Sequence, residues 1–150
     1  AEGLVGEKAI ATVDIGCCTL SVSIYRSGGL LFVRSVRMPP TATARPTGGE
    51  DEVKETEESR RAWQGFVLKE VQRSLAFYNS ETGRHGIDKI YLSGGRALSG
   101  GIAEQFNEAL HITTEVMNPL DGLTNASVSI DELKPQGPRF ALAMSLARRR

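Results

Sequence analysis

Asp14 closes a short apolar run, Ile10-Ala11-Thr12-Val13-Asp14-Ile15, and Gly16 follows at once. No other feature of the chain restricts the fold as much. The run is too short for a helix and rich in β-branched residues, so it reads as a buried strand. Gly16 breaks it. Residues 19–26 then alternate, with Leu20, Val22 and Ile24 on one face and Thr19, Ser21 and Ser23 on the other. Period two with unlike faces is the pattern of a strand covered on one side. Gly28-Gly29 is a hairpin signal. Residues 30–37 follow as a third strand, with Leu31, Val33 and Val36 as its apolar positions and Arg34 and Arg37 as its polar ones. Three strands joined by two tight turns form an antiparallel meander, and its first strand carries a carboxylate at its exit.

The turn after Asp14 has the chemistry of a phosphate loop. Gly16 lacks a Cβ, so an anion can approach the backbone closely. The N–H groups of the Gly16-Cys17-Cys18 turn and the Thr19 hydroxyl can donate to phosphate oxygens. Asp14 would repel phosphate, so its natural role is to hold Mg²⁺ through water. Read alone, the same pattern serves equally as a plain hairpin, because Asp and Gly favour turns. A second segment, Leu92-Ser93-Gly94-Gly95-Arg96-Ala97-Leu98-Ser99-Gly100-Gly101, joins a strand over residues 87–93 to a helix expected over 99–110, with Ser99 as its N-cap. Ligands of α/β folds bind beyond the carboxyl ends of strands, and helix starts favour anions. The segment is neither a Walker A loop nor a Gly-x-Gly-x-x-Gly fingerprint, and alone it is as well read as a tight connection.

The rest of the chain supplies two helices, a short strand and a polar interruption. Residues 39–55 hold Pro, Gly, Thr and acids with almost nothing to bury, so a mobile loop is expected there. From Glu57 onward Trp63, Phe66, Val67, Val71, Leu75 and Tyr78 recur at three- and four-residue steps, a stripe suited to packing on a sheet. Residues 113–117 read as a short strand, residues 128–134 have no clear pattern, and Pro138 is expected to precede a last helix over 139–150. The whole of 1–150 reads as one domain.

Eighteen basic and eighteen acidic residues cancel, which removes whole-molecule steering toward nucleic acid or anionic lipid. No apolar run approaches the roughly 20 residues of a membrane-spanning helix, so direct membrane insertion is not expected. The first eight residues carry acids and too short an apolar run for a signal peptide. The chain starts at Ala1 rather than Met, as a processed product or an excised segment would. Cys17 and Cys18 are adjacent; in an extended strand they would point to opposite faces, and a mutual disulfide would be strained. They are expected to be half-buried thiols in a reducing compartment, with a thiol pair beside a ligand loop as the sharper alternative. His85 and His111 stand apart, and no metal-site spacing is present.

Taken in order, these segments are an Asp-x-Gly turn, a three-stranded meander, a long helix, a strand ending in Ser-Gly-Gly, and a helix. This order resembles the second domain of the actin, Hsp70 and sugar-kinase superfamily. Within it the chain resembles the type IV pilus assembly protein PilM family, with the cell-division protein FtsA more distant. The resemblance rests on residues 12–16 and 29–36, on Leu92-Ser93-Gly94-Gly95-Arg96-Ala97-Leu98-Ser99-Gly100-Gly101, on Asn118-Pro119-Leu120, and on residues 139–147. It covers most of the chain outside residues 39–55 and 125–136.

The resemblance implies an α/β, ribonuclease-H-like fold with a five-stranded mixed sheet in the order 3-2-1-4-5, flanked by helices. It implies a candidate nucleotide site at Asp14, Gly16, Cys17, Cys18, Thr19, Gly94, Gly95, Arg96 and Ser99, with Asp14 as the candidate Mg²⁺ residue. ATP or ADP with Mg²⁺ is then a weak ligand and none is required. It implies a cytoplasmic scaffold module of a type IV pilus or related secretion apparatus. The complete protein would dock an inner-membrane PilN-like partner, held mainly by its first domain, and self-association is a further implied contact. Only the second half of the family's pattern is present. This sequence has no Asp-x-Gly turn upstream of Asp14, and residues 39–55 stand where a helical insertion helps hold adenosine. No catalytic residue is assigned, and the half-site alone is not expected to hydrolyse ATP. The rival readings are a half-domain of a nucleotide-handling enzyme or activator ATPase, and an FtsA-like polymerising domain.

Overall fold

Strand pairing decides the architecture. A computed structural model describes residues 8–39, 56–83, 86–118, 134–141, 143 and 146. Five strands form one mixed sheet: β1 (Ala9–Ile15), β2 (Thr19–Arg26), β3 (Gly29–Arg37), β4 (Lys89–Ser93) and β5 (Thr113–Val116), in the order β3-β2-β1-β4-β5. The meander β1-β2-β3 is antiparallel, whereas β4 runs parallel to both β1 and β5. This is the order expected from the resemblance, and the fold is that of an actin-like ATPase subdomain.

The parallel crossovers need long connections, and helices supply them. The helix α1 (Glu57–Thr82) joins β3 to β4, and α2 (Ile102–Leu110) joins β4 to β5. Thr56 caps α1, its Oγ1 accepting from the Ser59 N–H at 3.1 Å, and Glu57 and Glu58 complement the positive end of the dipole. Gly83, in the left-handed region at φ 57°, ends the helix. The stripe Trp63, Val67, Val71, Leu75 and Tyr78 is buried. It packs in one core with Ala9, Ala11, Val13 and Ile15 of β1, with Leu20, Val22 and Ile24 of β2, and with Ile90 and Leu92 of β4. Ile102 and Phe106 of α2 join the same core. Full burial of each such large side chain contributes roughly 1.5–3 kcal/mol.

Three local expectations are corrected. In β3 the even positions, not Leu31 and Val33, face α1: Phe32 pairs with Ile24, Arg34 with Val22 and Val36 with Leu20. A register shift between Ile24 and Tyr25 inserts Leu31 as a bulge, and Leu31 and Val33 are exposed. Arg34 is tolerated on the inner face because β3 is an edge strand and its guanidinium reaches Glu70 of α1 at 3.2 Å. Second, the helix expected from Ser99 begins at Ile102. A short 3₁₀ helix (Gly95–Leu98) precedes it, and its N-cap is Gly101, which has no side chain to cap with. Third, the helix expected from Arg139 is preceded by a 3₁₀ segment, Lys134–Phe140, which contains Pro138 and Arg139. Ala141, Ala143 and Leu146 are helical. Nearly all of the loop expected over 39–55, residues 128–133, and the remainder of the helix expected to reach Arg150 lie outside the described residues. No described helix is long and apolar enough to cross a membrane.

Candidate functional site

Parallel pairing of β1 with β4 sets Asp14 opposite Ser93. Two adjacent parallel strands therefore end side by side, and each releases one of the turns singled out in the sequence. The Ser93 hydroxyl donates to Asp14 Oδ1 at 2.9 Å, which ties the two strand ends through their side chains. Asp14 is half-buried and Ser93 buried.

The first turn is closed by the Gly16 N–H donating to the Thr19 carbonyl at 3.0 Å. A Cβ on Gly16 would stand 3.1 Å from that carbonyl oxygen, so glycine keeps the reversal tight. Cys17, Cys18 and Thr19 are all exposed, which corrects the expectation of half-buried thiols. The two cysteines lie in the turn, not within a strand, between the buried Ile15 and Leu20. The turn and the Thr19 hydroxyl stand beyond the carboxyl ends of β1 and β4.

The second turn approaches the first through Gly94. At φ 89° it adopts a conformation that side chains rarely take, and an added Cβ would fall 2.5 Å from the Ile15 carbonyl oxygen. The Gly94 N–H donates to the Pro138 carbonyl at 2.9 Å. Gly95 is exposed, and the Arg139 side chain passes 3.7 Å from where its Cβ would be. Pro138 and Arg139 thus border the site, which sequence reading missed. No local pattern around Pro138 points to a strand exit in a different part of the chain.

Arg96 and Ser99 turn toward α1. The Arg96 guanidinium lies over the Trp63 ring at 4.9 Å, and its Nη1 is buried without a hydrogen bond among the described residues. Ser99 Oγ accepts from Gln64 Nε2 at 3.2 Å. These two side chains fasten the second turn to the helix layer. The residues that the geometry brings together at the adjacent ends of β1 and β4 are Asp14, Gly16, Cys17, Cys18, Thr19, Gly94 and Gly95.

Among the described residues no group of three or more His, Cys, Asp or Glu is arranged to hold a metal. A single carboxylate with one oxygen engaged by Ser93 suits a cation that keeps most of its water, as Mg²⁺ does. Among the described residues, cavities elsewhere include one of about 510 Å³ lined by Phe32, Val33, Arg34, Arg73 and Phe77 and one of about 470 Å³ between α1 and α2.

Comparison with known proteins places the chain. A family model described as type IV pilus assembly protein PilM matches residues 57–150, more than half of the sequence. The solved PilM-PilN type IV pilus biogenesis complex contains a chain that is 26% identical. The match has a TM-score of 0.75 and covers 95% of this chain and 46% of that one. Two further solved structures share the fold alone. The ethanolamine utilization protein EutJ from Carboxydothermus hydrogenoformans is 16% identical with a TM-score of 0.52, over 95% of this chain and 49% of that one. A reductive activator for a corrinoid, iron-sulfur protein is 14% identical with a TM-score of 0.53, over 77% of this chain and 23% of that one. The chain spans a little under half the length of its PilM relative. The protein described here belongs to the type IV pilus assembly protein PilM family.

Proposed function

We propose that this chain is an assembly module of a type IV pilus or related secretion apparatus and contributes one half of a nucleotide cleft. The observation that carries the cleft is the Asp14–Ser93 register, which supports a shared crevice for both glycine turns. The N–H groups of Cys17 and Cys18 and the Thr19 hydroxyl would take phosphate oxygens, while the Gly16 N–H closes the turn. Gly94 and Gly95 would leave room for the nucleoside, and Asp14 would hold a hydrated Mg²⁺. The metal's part is to offset phosphate charge.

Half a cleft binds weakly, because each tenfold of affinity is only about 1.4 kcal/mol and the opposite wall supplies many of the contacts. Catalysis of phosphoryl transfer needs an aligned water and charge stabilisation from both sides. The chain alone is therefore a scaffold rather than an ATPase. The assembly reading rests on family membership and on the PilM-PilN complex. The partner is a PilN-like inner-membrane protein, met on the cytoplasmic side through a complete two-domain protein.

Titration calorimetry with the cytoplasmic tail of a PilN-like protein tests this role. Binding is expected when the chain is joined to a first-half domain, and much weaker binding to this chain alone. No binding in the joined form would overturn the assembly reading.

A further inference from the structure

The nucleotide reading uses only the backbone of Cys17 and Cys18. Their side chains are both exposed, and the two Sγ atoms stand 3.1 Å apart. Neighbours in an extended strand point to opposite faces. Here the reversal closed by Gly16 and Thr19 puts both sulfurs on one side. The Met38 N–H donates to the Cys18 carbonyl at 2.9 Å and anchors the backbone behind the pair. A disulfide bond is about 2.05 Å long, so closure needs the sulfurs to approach by only about 1 Å.

We propose that Cys17 and Cys18 form a vicinal dithiol modification site that exchanges with low-molecular-weight disulfides of the glutathione class. One cysteine thiolate attacks a sulfur of the small disulfide, forming a mixed disulfide and releasing one small thiolate. The second cysteine thiolate attacks the protein sulfur of that mixed disulfide, forming the Cys17–Cys18 bond and expelling the other small thiolate. The two protons lost by the cysteines end on the two released thiolates. The sum is two protein thiols and one small disulfide giving one protein disulfide and two small thiols.

Two geometric facts set the character of the site. The second thiol lies beside the first, so closure is intramolecular and outruns a second encounter with the small disulfide. Adjacent Cα atoms are about 3.8 Å apart, below the usual 4.4–6.8 Å for a disulfide. The ring is therefore strained and readily reduced, as labile and regulatory disulfides are. Oxidation is reversible and follows the state of the small-thiol pool.

The test is intact-mass spectrometry and thiol alkylation of the full chain after incubation with excess oxidised glutathione. Wild type is expected to lose two hydrogens, carry no glutathione, and resist alkylation at both cysteines until reduced glutathione is added. Cys18→Ser and Cys17→Ser are each expected to hold one persistent glutathione. Both substitutions are at exposed turn positions, and circular dichroism verifies that the variants remain folded. Wild type that accumulates glutathione adducts, forms a disulfide-linked dimer, or stays fully alkylatable would overturn the proposal.

Discussion

Gly94 lies flat against the backbone of Ile15, so close that a Cβ there would stand 2.5 Å from the Ile15 carbonyl oxygen and 2.9 Å from its nitrogen. The contact is backbone on backbone, and neither side can swing away. Gly94→Ala combines this clash with a φ of 89°. Overpacking and positive-φ strain cost about 1–3 kcal/mol each, so a loss of about 2–6 kcal/mol is expected. Gly100→Ala is the control, because its added Cβ meets nothing within 4 Å. Urea unfolding of the two variants checks the difference, and equal midpoints would contradict the close packing of the two turns.

Glu70 joins α1 to the edge of the sheet. Its side chain is 7% exposed and bonds Arg34 at 3.2 Å and Arg73 at 2.8 Å. The two arginines are 38% and 58% exposed, so removing Glu70 leaves charges that water still reaches. Glu70→Ala should cost about 1–2 kcal/mol, less than the loss of one member of a fully buried pair. Arg73→Ala should cost about 0.5 kcal/mol or less, as exposed ion pairs do. Chemical denaturation of both variants reads the order, and an Arg73 effect as large as that of Glu70 would refute it.

Lys89 and Glu115 lie on the parallel pair β4 and β5, their charged groups 2.8 Å apart. The hydrogen bond that Lys89 donates to the Glu115 carboxylate raises the lysine pKa above its ordinary 10.5, against partial desolvation that lowers it, with Tyr91 adding to the rise. A raised folded pKa means a contribution that is complete below the unfolded lysine pKa and is lost as pH climbs through the folded one. The stability difference between wild type and Glu115→Gln should therefore be constant at neutral pH and shrink only above about pH 10.5. NMR titration of the lysine should show a lower pKa in Glu115→Gln. An unchanged value would remove the cause assigned here.

Strand and helix identities were legible because each rests on a local pattern. The alternation of Leu20, Val22 and Ile24 and the stripe from Trp63 to Tyr78 state which side faces the core. The facing of β3 was not legible. Its own alternation favours Leu31 and Val33, but the register against β2 and the bulge at Leu31 override it, and Glu70, distant in sequence, makes Arg34 acceptable inside. The start of α2 was misplaced because Ser99 has the composition of an N-cap, while its hydroxyl is bound by Gln64 and the chain makes a 3₁₀ turn first. At the candidate site the Asp14 turn and the Gly94-Gly95 turn were readable as glycine chemistry, and the sheet order predicted their adjacency. The approach of Pro138 and Arg139 depends on tertiary packing alone.

The half-cleft is tested most directly by titrating isotope-labelled chain with Mg-ADP and following backbone amide shifts. Perturbations should cluster on residues 14–19 and 94–101, because both turns leave the same end of β1 and β4. They should weaken in Asp14→Ala, which removes the carboxylate placed to hold the metal's water shell. Shifts confined to other surfaces, with both turns silent at millimolar ligand, would contradict a nucleotide role and leave the assembly role alone.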